Sequence, residues 1–459
     1  MSATRSHHEF DVAIVGGGCA GAVAALSAAR AGARVALIER MGYLGGTATS
    51  VLDSFYGFFT PGEPPFRVVG GIAQEIERSL VAEGHAFYRE NAHGGGIGIG
   101  YDPEHLKDLF DDITEREGVQ VYLHTELTGA RTSAGRVERL SLIARGEPLE
   151  LSAAGFVDAS GDASLVRLAG GPVVNAARGG LKQAMTTTMR LANVDNELAR
   201  SFPREHLAEY VRQARASGRY EVPHDDIHVR RSSTGGGAHA LLTRIGGYDA
   251  TDVLELSAAE RAGRRQAREY LRFLQDQVPG YARAELVSYG VHIGVRDSRR
   301  AVGDYELTSD DVLNGRKFPD VIAQSGSPVE IQGSDDADWR YLSDERVYDI
   351  PLRSLIVSGF DNLLAAGRCL SADHEAQASA RLMAQCMAMG EGAGAAAALS
   401  VSLGVSPRTL PLPELQDRLV RAGAILFDDQ HVPFDITSAP RSPGEVDRGG
   451  GATGAENAV

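Results

Sequence analysis

The sequence predicts an α/β protein: a Rossmann-like nucleotide-binding domain, discontinuous along the chain, with an α+β substrate or cap domain inserted into it. Three observations carry this reading. A strand, a glycine loop, a helix and a second strand fit within the first 40 residues; short apolar strands ending in small residues recur far downstream; and the middle of the chain has a different, more charged character. The expected divisions are 10–171 for the first part of the nucleotide domain, with a loop-rich insertion at about 50–100, then 172–349 for the cap. The nucleotide domain returns over 350–436, and a Pro/Gly/Ser-rich tail over 437–459 is expected to be disordered.

Phe10–Val15 (FDVAIV) is a short apolar run stopping at glycines, which reads as a buried parallel strand. Ala20 to Ala31 is alanine-rich, with Gly32 placed to cap a helix, and Ala33–Glu39 (ARVALIE) is the second buried strand. Asp102-Pro103-Glu104 opens a helix running to Glu117, with Asp102 as N-cap and Pro103 in the first turn. Short strands are expected at 119–124, 129–132 and 137–143 as a meander, and at Phe156–Asp158. In the middle, 258–277 (AAERAGRRQAREYLRFLQDQ) is a charged helix. A strand at Asn362–Gly367 and a long helix of small residues from Ser379 to Leu403 close the pattern.

Composition narrows the function classes. The 459 residues carry 46 basic and 61 acidic side chains, a net charge of −15, which argues against a general nucleic-acid binder. Glycine, at 54 residues, is well above the usual ~7 % and clusters beside apolar runs, as in nucleotide loops. Three cysteines without CxxC spacing exclude a disulfide scaffold and dithiol chemistry. Met1–Glu9 lacks the apolar core of a signal peptide, and the apolar stretch 384–403 is interrupted by Glu391. A cytoplasmic protein without a membrane span is expected.

Gly16-x-Gly18-x-x-Gly21 stands between strand and helix. Gly16 serves the tight turn, Gly18 the approach of backbone to a pyrophosphate, and Gly21 the close packing of helix on strand. Cys19 and Ala20 lie in the first helical turn, whose free N–H groups and partial positive charge suit a diphosphate. Glu39, ending the second strand, is placed to accept from ribose hydroxyls and disfavours a 2′-phosphate.

Three further segments resemble those of glutathione-reductase-like flavoproteins. Arg40 leads into Met41-Gly42-Tyr43-Leu44-Gly45-Gly46-Thr47, which resembles their second glycine loop. Val157-Asp158-Ala159-Ser160-Gly161-Asp162 resembles the strand-plus-turn that closes over the cofactor, and Asn362–Gly367-Arg368 resembles the late strand returning to the ribityl chain. Gln183-Ala184-Met185-Thr186, His292 to Arg300 with Gly303-Asp304-Tyr305, and Arg368 to Glu375 running into Arg381-Leu382-Met383 resemble the FAD-dependent oxidoreductase family within that superfamily, over about residues 10 to 430. The resemblance implies FAD as cofactor, held by these glycines and by Glu39, Arg40, Thr47, Asp162, Arg368, Arg381, Leu382 and Met383. The last helix would point its N-terminus at the flavin N1–C2=O end.

The expected reaction is two-electron oxidation or reduction of a small organic substrate by hydride transfer at flavin N5, with NAD(P)H or O2 as candidate redox partners. If 289–296 is extended, His292, Gly294 and Arg296 share a face. His292 is then the first candidate for proton transfer, His374 the second, and Arg296 the anchor for an anionic group. The alternative for the arginines is an ion-pair network with Asp297 at the domain seam. Two other functions stay open: a monooxygenase activating O2, and a non-catalytic binding protein on a flavoprotein scaffold. Gly94–Gly100 reads as a flexible loop rather than a second nucleotide site.

Overall fold

The computed structural model describes residues 7–91, 96–177, 180, 182–201, 204–224, 228–231, 237–333, 337–343 and 347–440. Its central sheet begins with four parallel strands side by side: Gln120–Tyr122, Val35–Ile38, His7–Val15 and Glu147–Asp158. Leu363–Ala365 pairs, also parallel, with the last residues of Glu147–Asp158. Val15, Ile38, Asp158 and Ala365 thus end at one edge of the sheet, and the crevice outside such an edge is where open α/β sheets bind ligands.

The expected meander is corrected in its membership. Gln120–Tyr122 belongs to the parallel sheet, while Thr125–Ser133 and Arg136–Ala144 pair antiparallel with each other, and the latter pairs with residues 147–152. The 12 residues of Glu147–Asp158 make this possible, because the strand outruns its parallel neighbours and offers its early half to a hairpin.

Helix Cys19–Arg30 crosses helix Met383–Leu403, and the crossing explains the small residues of both. A Cβ on Gly390 would stand 2.1 Å from the Ala20 carbonyl oxygen, and one on Gly394 would stand 2.2 Å from that of Ala24. Met383–Leu403 is long and apolar enough to cross a membrane, but 78 % of its most apolar window is buried inside this protein. The single helix expected from Ser379 is in fact two. His374–Ala380 is capped by the Asp373 side chain, which accepts from Ala376 N, and Met383–Leu403 starts anew after an extended Leu382. His374 is the first residue of the shorter helix.

Residues 50–100 are less loop-rich than their glycines suggest. They hold helix Gly71–Ala82 and a three-stranded sheet of Ser54–Phe55, Ile97–Tyr101 and Ala86–Glu90. Ile97–Gly100 is thus strand, not flexible loop. Gly100 lies under the Phe87 ring, which a Cβ would approach to 2.6 Å. Gly94 and Gly95 lie outside the described residues.

The middle of the chain divides between two cores. Strands His228–Arg231, Ala238–Leu241, Thr188–Ala192 and Glu285–Tyr289 form an antiparallel sheet in that order, closed by Val253–Gln277 on a core that includes Met189, Leu191, Tyr270 and Phe273. Leu307, Phe318, Ile322, Val329, Tyr348 and Ile350 pack instead into the main core with Val12 and Val23. Of the expected tail, Thr437 and Ser438 lie in a short helical turn and the Pro440 carbonyl accepts from Tyr88 N at 2.9 Å. Residues 441–459 lie outside the described residues.

Candidate active site

At the carboxyl edge of the sheet the three glycines of the first loop separate into two kinds. Gly16 has φ +99°, and a Cβ there would meet the Ala159 carbonyl oxygen at 2.5 Å; one on Gly21 would meet Gly16 O at 1.7 Å. The protein's own backbone requires these two. Around Gly18 the nearest atom to an added Cβ is Gly46 Cα, at 3.9 Å, so protein packing leaves room there for a ligand backbone. Helix Cys19–Arg30 has no side-chain cap at Gly18 and no acid in its first turn, which leaves its N–H groups to an anion. This arrangement fits a diphosphate.

The two glycine loops lie against each other. Gly45 N donates to Gly17 O at 2.8 Å, and a Cβ on Gly46, whose φ is +55°, would stand 2.9 Å from Gly18 Cα. The buried Glu39 carboxylate accepts from Gly17 N and from Met41 N, both at 2.7 Å. A carboxylate has about four acceptor positions, so two remain for hydroxyls. Arg40 is exposed beside it, and its charge reaches Asp162. Thr47 opens a four-residue helix that ends at Ser50. Cys19 is buried, and burial raises its thiol far above the ordinary range, so it is no nucleophile. Gly367, at φ +81°, brings the third expected element onto the first, since a Cβ there would touch the Ala20 Cβ at 2.8 Å.

Asp162 and Arg368, both expected at the cofactor, are also bound to each other. Arg368 Nη2 donates to Asp162 Oδ1 at 2.8 Å, and Ser298 Oγ bridges them at 2.6 and 2.8 Å. Burial pushes the Asp162 carboxyl up, but the Arg368 charge and these hydrogen bonds outweigh it and hold the pKa below the ordinary value.

Arg296 and Arg381 are half-buried, like-charged neighbours. Arg296 Nη1 donates to the Ala184 carbonyl and to Thr186 Oγ1, the latter at 2.9 Å. Burial, with the charge of Arg381 second, lowers its pKa to about 10. Arg381 sits in the break before Met383–Leu403 and donates through Nη2 to Gln183 Oε1 and Glu330 O, while its buried Nε has no partner. Burial lowers this guanidinium too. Leu382 and Met383 are the N-cap and first residue of the final long helix.

The expectation of one extended face through His292 and Arg296 fails. Strand Glu285–Tyr289 ends at Gly290, where a Cβ would stand 2.7 Å from Thr188 Oγ1, and beyond it the Thr186–Gly294 bridge is isolated. His292 Nδ1 faces the Ile293 carbonyl at 2.9 Å, a local contact that leaves it apart from Arg296 among the described hydrogen bonds. His374 Nδ1 lies 3.1 Å from Asp297 Oδ2, and Arg300 Nε is 3.7 Å from the other Asp297 oxygen, so the seam network anticipated for Asp297 involves Arg300 and His374. The strand of Thr188 meets the chain just after the second glycine loop: Thr188 Oγ1 donates to Val51 O at 2.8 Å and Val291 N to Ser50 O at 2.8 Å.

A second polar cluster at this seam has no counterpart in any motif. Asp53 Oδ1 lies 2.7 Å from His239 Nδ1, with both side chains buried. Tyr56 lies between Arg89 and Arg230, with guanidinium carbons 5.6 and 5.5 Å from its ring centre, and its hydroxyl accepts from both. These five residues come from four separate stretches of chain, so no short-range pattern could mark them.

A split parallel sheet with an anion-ready glycine loop, a ribose-ready acid and a second glycine loop pressed on the first defines a dinucleotide flavoprotein. The chain belongs to the FAD-dependent oxidoreductase family, whose model matches residues 11–419, and its cofactor is FAD. Similar solved structures include a geranylgeranyl bacteriochlorophyll reductase-like protein from Thermoplasma acidophilum (15 % identity, 91 % of this chain and 85 % of that one, TM-score 0.47). A flavin-dependent brominase (13 %, 89 % and 84 %, TM-score 0.48) and p-nitrophenol 4-monooxygenase from Pseudomonas putida DLL-E4 (12 %, 90 % and 85 %, TM-score 0.45) are others. A search of curated proteins finds no match.

Proposed function

We propose that this FAD-dependent oxidoreductase oxidises or reduces a small organic substrate by two electrons at flavin N5, in a site between the nucleotide domain and the cap sheet. The observation that carries the reading is the seam itself. The Thr188 strand and the Val291 segment are hydrogen-bonded to Val51 and Ser50, just after the second glycine loop, with two half-buried arginines beside the start of the last helix. The cap is assigned to 172–349, with its functional wall in the sheet 188–289, and the nucleotide domain to 10–171 and 350–436.

The residues assigned to FAD are Gly16, Gly18, Cys19, Ala20 and Gly21 at the diphosphate, with Glu39 and Arg40 at the adenosine ribose. Gly45, Gly46, Thr47, Asp162, Gly367 and Arg368 lie along the remainder, and Arg381, Leu382 and Met383 at the pyrimidine end. When bound, FAD supplies a two-electron carrier that exchanges hydride at N5. Around it the protein supplies charge and shape. Arg381 and the helix start bring positive potential to the electron-rich end of the cofactor, and Arg296 anchors negative charge beside it. His292 borders the seam as proton donor or acceptor. His374, held by Asp297, is the second candidate, and acts by fixing the Asp297–Arg300 wall. Three free, buried cysteines suit a reducing, cytoplasmic compartment.

An anaerobic substrate screen that follows loss of the oxidised-flavin absorbance tests this reading. Bleaching by an organic substrate alone supports it. Oxygen consumption that requires both NAD(P)H and substrate, with no anaerobic bleaching by substrate, assigns the protein to monooxygenase chemistry instead.

A further inference from the structure

The Asp53–Tyr56–Arg89–Arg230–His239 cluster contains no residue assigned to FAD and is built like a ligand site. Arg89 comes from strand Ala86–Glu90 of the nucleotide side, and Arg230 from strand His228–Arg231 of the cap sheet. They meet over one phenol ring and share its hydroxyl. Two like charges are costly to hold together out of water unless an anion joins them. Burial, followed by the charge of Arg230, lowers the Arg89 pKa.

Charge and donor geometry together point to an anionic ligand. Asp53 is buried, yet the charge and hydrogen bond of His239, with Arg230 and Arg89 behind them, overcome burial and keep the carboxyl below its ordinary pKa. Two guanidiniums and an imidazole against one carboxylate leave the cluster short of negative charge, and the planar forks of two arginines match the two oxygens of a carboxylate. Arg230 makes a single hydrogen bond among the described residues, to Tyr56, which leaves most of its five N–H donors for a planar, two-oxygen acceptor.

Position ties the cluster to the chemistry. Asp53 and Tyr56 follow the second glycine loop by a few residues. The Tyr56 carbonyl accepts from Ala384 N in the first turn of the final helix, at 3.2 Å, and Gly57 O accepts from Gln385 Nε2 at 2.7 Å. On the cap side, His239 sits opposite Arg190 in the sheet and beside the strand of Thr188 that crosses Val51. The cluster therefore spans both walls of the seam next to the assigned flavin end.

We propose that Arg89, Arg230 and Tyr56 bind the carboxylate of the substrate, with Asp53 and His239 holding the site in shape, so that the enzyme acts on an organic acid. This rests on the oxidoreductase reading above, and it adds the substrate class.

The test is titration of the FAD-loaded protein with benzoate, acetate and inorganic phosphate, read by the flavin difference spectrum and by thermal stabilisation. Benzoate or acetate should bind, with Kd raised at least tenfold in Arg230→Met and in Arg89→Met, less in Arg230→Lys, and unchanged in Arg219→Met on the cap surface. FAD content identifies any variant that fails to fold, and Arg230→Lys then carries the comparison. Equal carboxylate affinity in wild type and Arg230→Lys and Arg230→Met overturns the proposal, as does phosphate binding more tightly than either carboxylate, or no carboxylate binding at all. Retained FAD and anaerobic bleaching by a neutral substrate would sink the carboxylate site while leaving the oxidoreductase reading intact.

Discussion

The cofactor edge and the cap seam are built from different materials. At the cofactor edge the working atoms are backbone: N–H groups of a helix start, two glycine loops in contact, and helices brought together at Gly390 and Gly394. At the seam they are side chains: Arg296, Arg381, Arg89 and Arg230 are half-buried, and Asp53 and His239 are buried. A backbone site serves one invariant ligand, because its geometry comes with the fold. A side-chain site carries specificity, because each group arrives from its own segment and can differ independently.

That contrast can be broken most sharply at the glycines. Gly21→Ala forces a Cβ onto the Gly16 carbonyl and should destabilise the protein even without FAD, by about 3 kcal/mol, the upper end of overpacking costs. Gly18→Ala has room in the protein alone. Its apo form should melt within a degree or two of wild type while its FAD affinity drops at least tenfold, about 1.4 kcal/mol. Equal melting losses in the two apo variants would mean that Gly18 is structural and not reserved for the cofactor.

A more specific effect is expected at the seam. Arg296→Met should lower kcat about 100- to 1,000-fold at neutral pH while FAD content stays full, the range for losing one transition-state hydrogen-bond donor. Because the Arg296 pKa is lowered to about 10, its cation is lost as pH rises through that value. Wild-type kcat should then fall at high pH, and the variant's profile should be flat there. Loss of FAD from Arg296→Met would instead move this residue to the cofactor side of the comparison.

The helix crossing holds one titrating group that belongs to neither site. Glu391 accepts from Ile72 N at 3.0 Å, and burial raises its pKa from 4.5 to about 7. The unfolded chain loses this proton near pH 4.5 and the folded one near pH 7, so the folded state binds more protons between these values. Stability falls across that window and levels off above it. Glu391→Gln should flatten the melting temperature between pH 5 and 8, and should melt above wild type at pH 8 by an amount equivalent to about 1–3 kcal/mol. An unchanged pH slope would show that Glu391 is ionised when folded. The smallest effect is expected for His374→Gln, whose amide can still meet Asp297: kcat within about threefold of wild type. A hundredfold loss would restore His374 as the proton-transfer group.

How far each region could be read in advance follows the same division. The loop from Gly16 to Gly21, Glu39, the second loop at Gly45-Gly46 and the strand before Gly367 were legible as backbone because their geometry depends on local sequence: a strand must end, a turn must be tight, a helix must begin uncapped. The single helix expected from Ser379 is interrupted at Arg381 and Leu382, where the Arg381 side chain reaches Gln183 and Glu330, and no local signal carries that contact. The period-two argument for His292 and Arg296 failed for a tertiary reason as well, since Gly290 packs against Thr188 and the strand stops there.

By itself the sequence determined the α/β class, the family and FAD as its cofactor, because glycine spacing and apolar strands encode backbone geometry within a few tens of residues. Only the tertiary structure decided which charged side chains share the seam. Asp53, Tyr56, Arg89, Arg230 and His239 are separated by up to 186 positions, and only the pairing of the cap sheet with the glycine loop brings them within hydrogen-bonding distance of one another.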